Sequence, residues 1–162
     1  MGVFFCVLKH NHMLIRTHPY MNILYSNRQA TLEELPAFSG TVVRELYKWV
    51  ADLDLLVCGP QYWIYRGADG RPGTRFTLEV ALPVQGNIPT AVLPHFKRIP
   101  AFRCLTSRYE GSWEGIGEEY SRMYTYIREN GLKLSGISAE AFLHVDFDNP
   151  ANHITEIQIG LL

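Results

Sequence analysis

The chain has 162 residues, of which 47% are hydrophobic and 19% charged, and its formal net charge is −1. This length suffices to bury the core of one domain. A charge near zero excludes broad electrostatic attraction to nucleic acid or to anionic membranes, so we expect neither as a direct partner. Cys6, Cys58 and Cys104 are widely spaced and form no CxxC pair, which indicates reduced thiols in a cytoplasmic protein.

Residues 1–18 are interpreted as an N-terminal extension of the domain, which is expected to span residues 19–162. The apolar run at residues 3–8 is too short to cross a membrane. His10, His12 and His18 have no carboxylate or cysteine companion at a fixed spacing. We therefore expect no metal site there.

The domain contains an internal duplication. Gly59 and Glu79 are 20 positions apart, as are Gly136 and Glu156, so one offset, 136 − 59 = 156 − 79 = 77, aligns both pairs. Apolar positions before and after these residues follow the same offset. Such a duplication predicts two similar halves around a pseudo-twofold axis, and the cleft along that axis is a natural ligand site.

Each half, residues 19–84 and 98–162, is predicted to have the order βαββ. The predicted strands are residues 20–28, 61–67 and 75–83 in the first half, and 99–109, 138–146 and 153–161 in the second. The helical stripes are Val43, Leu46, Tyr47 and Val50, with Ser39 as N-cap, and Ile116, Tyr120, Met123, Tyr124 and Ile127, ended by Gly131. The sequence therefore predicts an α+β fold of duplicated βαββ halves, with an antiparallel sheet, two helices on one face and a ligand cleft on the other.

Strand alternation predicts which side chains face the cleft. In the last strand Ile157 and Ile159 should cover the helices, which turns Glu156 toward the cleft, and Glu79 is its counterpart in the first half. In the neighbouring strands we assign Ala139 and Ala141 to the helix side, which leaves Trp63, Tyr65, Glu140 and Phe142 for the cleft. The expected cleft thus combines carboxylates with aromatic rings. The alternative for either acid is an ion pair with an internal Arg or an exposed position at a strand edge.

The chain resembles the GyrI-like small-molecule-binding domain over roughly residues 20–162, and the specific motifs lie in the second half. The same domain serves as the effector-binding portion of some AraC-type and MerR-type multidrug regulators. The resemblance is carried by residues 109–120, Gly136, residues 140–142 and residues 155–157. It implies a hydrophobic pocket in which the acid at the position of Glu156 meets lipophilic cations, with Trp113 as a pocket ring.

Three residues depart from the family pattern. Tyr109 replaces the usual His, Phe142 the usual Tyr, and Gly160 the usual Pro. Because Phe142 has no hydroxyl, a mechanism that needs a phenol there must use another residue.

The favoured function is a free-standing binding protein for hydrophobic, often cationic, small molecules, with no catalytic residue, cofactor or metal. The ligand-binding residues are expected to be Glu156, Trp113, Trp63, Tyr65, Phe142, Glu79 and Tyr109. Two alternatives are a hydrolase of electrophilic toxins, with Glu156 or Glu79 as the base acting on water, and a gyrase-inhibitor type of protein partner. Whether the chain forms a homodimer stays open.

Overall fold

The computed structural model describes residues 13–162. Cys6, His10, His12 and the apolar run at residues 3–8 lie outside the described residues. Nine strands and two α-helices follow in the order β1 (Leu14–His18), β2 (Met21–Ala30), α1 (Leu35–Asp52), β3 (Leu56–Val57), β4 (Gln61–Arg66), β5 (Phe76–Gln85), β6 (Phe96–Ile99), β7 (Phe102–Glu110), α2 (Ile116–Glu129), β8 (Leu134–His144) and β9 (Ile154–Leu161). The predicted α+β fold with two βαββ halves is confirmed, as β2, α1, β4 and β5 are followed by β7, α2, β8 and β9.

The antiparallel sheet has the strand order β1-β7-β9-β8-β4-β5-β2-β6, and the short β3 pairs with β5. The central pair consists of β4 from the first half and β8 from the second. Each half contributes one flank of the sheet, so the pseudo-twofold axis passes through the β4–β8 seam. The offset of 77 relates the ends of the helices as well, since 129 − 52 = 77.

Both helices pack on one face of the sheet, as predicted. Leu46 and Val50 of α1 lie in a core with Leu78, Val80 and Leu82 of β5. Met123 and Ile127 of α2 lie in a second core with Leu105 of β7 and Ile157 and Ile159 of β9. The predicted N-cap of α1 is wrong, because the helix begins at Leu35 and Ser39 lies within it. A 3₁₀ turn at Leu32–Glu34 leads into α1.

Three strands fall in segments for which none was predicted: the two-residue β3, which pairs with β5, and the edge strands β1 and β6. β1 lies in the predicted extension and pairs with β7, whereas β6 lies in the link between the halves and pairs with β2. Each therefore completes the outer edge of the other half. Two-residue links join β1 to β2 and β6 to β7, although each pair lies six positions apart in the strand order. Six spacings of about 4.8 Å far exceed the roughly 11 Å that three Cα–Cα steps can cover, so the sheet must curl.

The curled sheet buries the face opposite the helices. Ile23, Tyr62, Ile64, Ala81, Ala139 and Ala141 form a third core on this side. A cavity of about 90 Å³ remains between this core and the two links, lined by residues that include His18, Pro100 and Gln158. In the part of the chain that the structure describes, no helix is both long and apolar enough to cross a membrane.

Candidate functional site

The seam between β4 and β8 lies between the two helices. α1 packs over β2 and β5 and α2 over β7, so the helix-side residues of β4 and β8 form the floor of the space that separates the helices. The register places Trp63 opposite Glu140. Since 140 − 63 = 77, these two residues occupy equivalent positions in the two halves, and the pseudo-twofold axis passes between them.

The register corrects the predicted cleft, because Trp63, Tyr65, Phe142 and Glu140 lie on the helix side. Trp63 pairs with Val80 of β5, and Glu140 with Ile157 of β9, both in the cores under the helices. Ala139 and Ala141, which we assigned to the helix side, face the opposite way. The physical reason is that both faces of these central strands are buried, so the more apolar set does not mark the helix side.

Glu79 and Glu156 lie on the opposite face, away from these rings. Glu79 is 4% exposed and pairs with Lys97 Nζ at 2.5 Å and with Arg66 at 3.3 Å. Glu156 Oε1 accepts a hydrogen bond from Gln158 at 2.8 Å and lies 3.5 Å from His18 Nε2. Glu79 therefore follows the alternative interpretation, an ion pair within the fold.

Glu140 is the carboxylate that lies among the aromatic rings. Its side-chain oxygens accept hydrogen bonds from the hydroxyls of Tyr65 at 3.0 Å and Tyr120 at 2.9 Å. It is 9% exposed, and it makes no salt bridge with any residue of the described part of the chain. Burial raises the pKa of Glu140, although the two tyrosine hydrogen bonds act in the opposite direction.

The two tyrosines remain neutral donors over the ordinary pH range. Burial, and next the charge of Glu140, raise the pKa of Tyr65 and of Tyr120 well above the usual value for a phenol. They supply the hydroxyls that Phe142 lacks. The low-dielectric surroundings disfavour the charged form of Glu140, and the two tyrosine hydroxyls compensate part of that cost by donating hydrogen bonds to its oxygens.

A row of rings extends from Trp63 toward solvent. The ring centroids of Trp63 and Phe142 are 5.7 Å apart and those of Phe142 and Trp113 5.3 Å, both in edge-to-face geometry. Trp113 stacks on His153 at 4.3 Å, and its indole Nε1 donates to Thr155 Oγ1 at 3.2 Å. Phe142 and Trp113 are half-buried. We call Trp63, Tyr65, Trp113, Tyr120, Glu140 and Phe142 together the interhelical site.

Tyr109 supports this site by contacting the loop that carries Trp113. Its hydroxyl donates to the carbonyl oxygen of Ser112 at 2.8 Å. A Cβ at Gly115 would lie only 2.5 Å from that hydroxyl oxygen, so a larger residue there would displace the Tyr109 hydroxyl. Tyr109 thus fixes the turn into α2 and the position of Trp113.

Sequence reasoning missed the roles of Glu140, Tyr120 and His153. Glu140 was assigned to the expected cleft but was not selected as its acid, and Tyr120 was assigned to helix packing. The signal that identifies Glu140 is the duplication itself, because the same offset that relates Glu79 to Glu156 relates Trp63 to Glu140. His153 carried no motif, and its contact with Trp113 depends on the turn at Pro150–Asn152.

Comparison with models of known protein families shows which family this chain belongs to. The model of the GyrI-like small-molecule-binding domain matches residues 12–162. The chain belongs to this family. The matched residues include β1. A comparison with curated protein sequences found no match.

Solved structures share the GyrI-like fold at low sequence identity. EcmrR in its complex with DNA has a TM-score of 0.74 at 16% identity; the match covers 93% of this chain but only 57% of EcmrR. SAV2435 bound to tetraphenylphosphonium has a TM-score of 0.65 at 9% identity, and the match covers 93% of each chain. A hydrolase encoded by lin2189 from Listeria innocua has a TM-score of 0.61 at 15% identity, over 93% of this chain and 91% of the hydrolase.

Proposed function

We propose that this GyrI-like protein binds hydrophobic, cationic small molecules at the interhelical site, with Glu140 as the counter-ion. The observation that carries the proposal is a buried carboxylate held only by two neutral hydroxyls and surrounded by aromatic rings. An arriving cation compensates the cost of charging Glu140, which no cationic side chain of the described residues does. The tetraphenylphosphonium bound to SAV2435, a protein of the same fold, is a ligand of this class.

The rings add affinity and shape. Faces of Trp, Tyr and Phe attract a desolvated cation by roughly 0.5 to 2 kcal/mol each. Phe142, Trp113 and Tyr120 are half-buried, so they form the wall that a ligand meets before it reaches Glu140. In the proposed complex, the cation takes the place of at least one tyrosine hydroxyl beside the carboxylate.

Calorimetric titration with tetraphenylphosphonium tests the proposal. We expect Glu140→Gln to weaken binding by roughly 1 to 3 kcal/mol, because it removes the charge and keeps the shape. Glu156→Gln is the matched control on the opposite face, and it should leave the affinity within about twofold. A larger loss in Glu156→Gln than in Glu140→Gln would place the cation site on the other face, and no binding to the wild-type protein would contradict the proposal.

A second candidate is hydrolysis of an electrophilic ligand at the same site. The observation that favours it is a buried carboxyl group beside two tyrosine hydroxyls, which together offer a base for water and a proton donor for the leaving atom; burial raises the pKa of Glu140 toward the range that suits a general base. Glu140 would take a proton from water as the water oxygen bonds to the electrophilic carbon, and Tyr65 or Tyr120 would donate a proton to the leaving atom.

Mass spectrometry after incubation with an aromatic epoxide such as styrene oxide separates the two candidates. A diol formed by the wild-type protein and not by Glu140→Gln supports hydrolysis. Phosphonium binding without any diol supports a binding protein alone.

A further inference from the structure

Trp63 carries a buried hydrogen-bond donor that has no partner. Its side chain is 9% exposed, and its indole Nε1 makes no hydrogen bond within residues 13–162. Trp113, in the same row of rings, donates its indole N–H to Thr155. A buried indole usually finds an acceptor, because an unpaired donor in the interior loses its hydration without compensation.

The position of this donor relates it to the interhelical site. Trp63 and Glu140 are directly opposed on neighbouring antiparallel strands, where Cβ atoms lie about 5 Å apart. The seam thus places the residue that carries the unpaired donor, from the first half, directly opposite the residue whose carboxyl group has no cationic partner in the described chain, from the second. A ligand that brings its positive centre to Glu140 also brings its nearest substituents within reach of Trp63.

We infer that the physiological ligand is a cationic aromatic molecule with a hydrogen-bond acceptor, such as an ether, carbonyl or ring nitrogen, that accepts the indole N–H of Trp63. This inference rests on the proposed cation binding at Glu140 and goes beyond it. A cation without an acceptor, such as tetraphenylphosphonium, satisfies Glu140 but leaves the Trp63 donor unpaired. The site therefore selects within the class of hydrophobic cations.

Matched phosphonium pairs test the inference. Methoxyphenyl- and ethylphenyl-triphenylphosphonium have nearly the same size and charge, and only the methoxy compound carries an acceptor; the para and meta isomers of each sample the direction of the donor. We expect the wild-type protein to bind the best methoxy isomer about fivefold more tightly than its ethyl counterpart, a typical gain for one neutral hydrogen bond. Trp63→Phe should abolish this preference.

Trp49→Phe is the control variant, because Trp49 lies on α1 against His95 and outside the interhelical site. It should keep both affinities and their ratio. Equal affinities of the methoxy and ethyl isomers for the wild-type protein, or a preference that persists in Trp63→Phe, would overturn the inference. Failure of every phosphonium to bind would contradict the proposed function first, and this inference with it.

Indole N–H resonances provide a readout that does not require Trp63→Phe to fold. The chain has three tryptophans, so ¹⁵N-labelled protein gives three indole signals; Trp49→Phe and Trp113→Phe assign two of them, and the third belongs to Trp63. Binding of the methoxy compound should move the Trp63 N–H proton downfield relative to binding of the ethyl compound. Identical Trp63 shifts with the two ligands would show that the donor meets no ligand acceptor and would overturn the inference.

Discussion

The two faces of the β-sheet hold their buried carboxylates in different ways. On the face opposite the helices, Glu79 is held by Lys97 and Arg66, whose charges compensate its own. On the helix face, Glu140 is held by two neutral tyrosine hydroxyls, and no cationic partner lies in the described chain. An acid with its own cations stabilises the fold, whereas the acid without them is the one that a cationic ligand meets in the proposed function. Burial alone therefore does not identify a ligand site.

The largest expected effect is the loss of stability on truncating a residue of the core under α2, which should leave ligand binding at the interhelical site unchanged. Met123 is fully buried under α2, so Met123→Ala should lower the free energy of unfolding by about 2 to 5 kcal/mol. Denaturant unfolding measures this loss. Tetraphenylphosphonium affinity of the folded fraction should stay unchanged. A variant that is folded by circular dichroism but binds no phosphonium would show that the core and the site cannot be separated.

A smaller loss of stability is expected from a substitution on the face of the sheet opposite the helices. Glu79→Gln removes the charge that Lys97 and Arg66 share, and should lower the free energy of unfolding by roughly 1 to 3 kcal/mol, because both cations are partly exposed and water compensates some of the loss. Thermal denaturation measures the change, and phosphonium titration should show no loss of affinity. Weaker phosphonium binding in Glu79→Gln would break the proposed division between the faces.

The pH dependence of phosphonium binding gives a further test of the contrast between the two faces of the sheet. The pKa of Glu140 lies above its ordinary value of 4.5, so the empty site keeps its proton at pH values where an exposed glutamate has lost it. A cation must displace that proton, and phosphonium affinity should fall up to about tenfold per pH unit below the raised pKa and level off above it. Titrations across the acid range measure this slope. Glu140→Gln should show no such slope; an equal slope in both proteins would assign the titration to another group.

The raised pKa of Glu140 also makes the stability of the folded protein depend on pH. In the pH window between 4.5 and the raised pKa, the folded protein binds more protons than the unfolded chain, so the contribution of Glu140 to stability falls as the pH rises through that window. Glu140→Gln should therefore gain stability relative to the wild type as the pH rises, and lose that advantage in acid.

The smallest expected effect concerns the hydroxyl of Tyr120. Tyr120→Phe removes one hydrogen bond to Glu140 and should cost about 1 kcal/mol of unfolding free energy. Because this hydrogen bond lowers the pKa of Glu140, its loss should move the acid limb of phosphonium binding to higher pH. Tyr124→Phe is the control, as its ring stacks on Tyr120 on the same helix. An identical pH profile in Tyr120→Phe and wild type would show that the hydroxyl does not tune Glu140.

Much of the fold could be predicted because the duplication shows each pattern of apolar residues twice, once in each half. The alternation in β9 and β5 placed Ile157 and Leu78 correctly under the helices, since each strand has one clearly apolar set. β1 and β6 could not be predicted, because these short edge strands carry no apolar alternation and gain their pairing from the other half of the chain.

The sequence predicted which aromatic side chains gather but not the acid that lies beside them. Trp63, Tyr65, Phe142 and Trp113 do gather, as expected, but around Glu140 rather than Glu156. Alternation cannot orient β4 and β8, because the curled sheet buries both of their faces. Only the register, which pairs Trp63 with Glu140, shows which acid accompanies the rings.

The most direct test of the central claim uses two ligands of the same shape and opposite charge, tetraphenylphosphonium and tetraphenylborate. At a pH above the raised pKa of Glu140, we expect the wild-type protein to prefer the phosphonium strongly. Glu140→Gln should reduce this preference by roughly 100-fold, because the loss of one charge weakens cation binding and strengthens anion binding together. Glu156→Gln should retain the wild-type preference. An unchanged ratio in Glu140→Gln would contradict the assignment of Glu140 as the counter-ion.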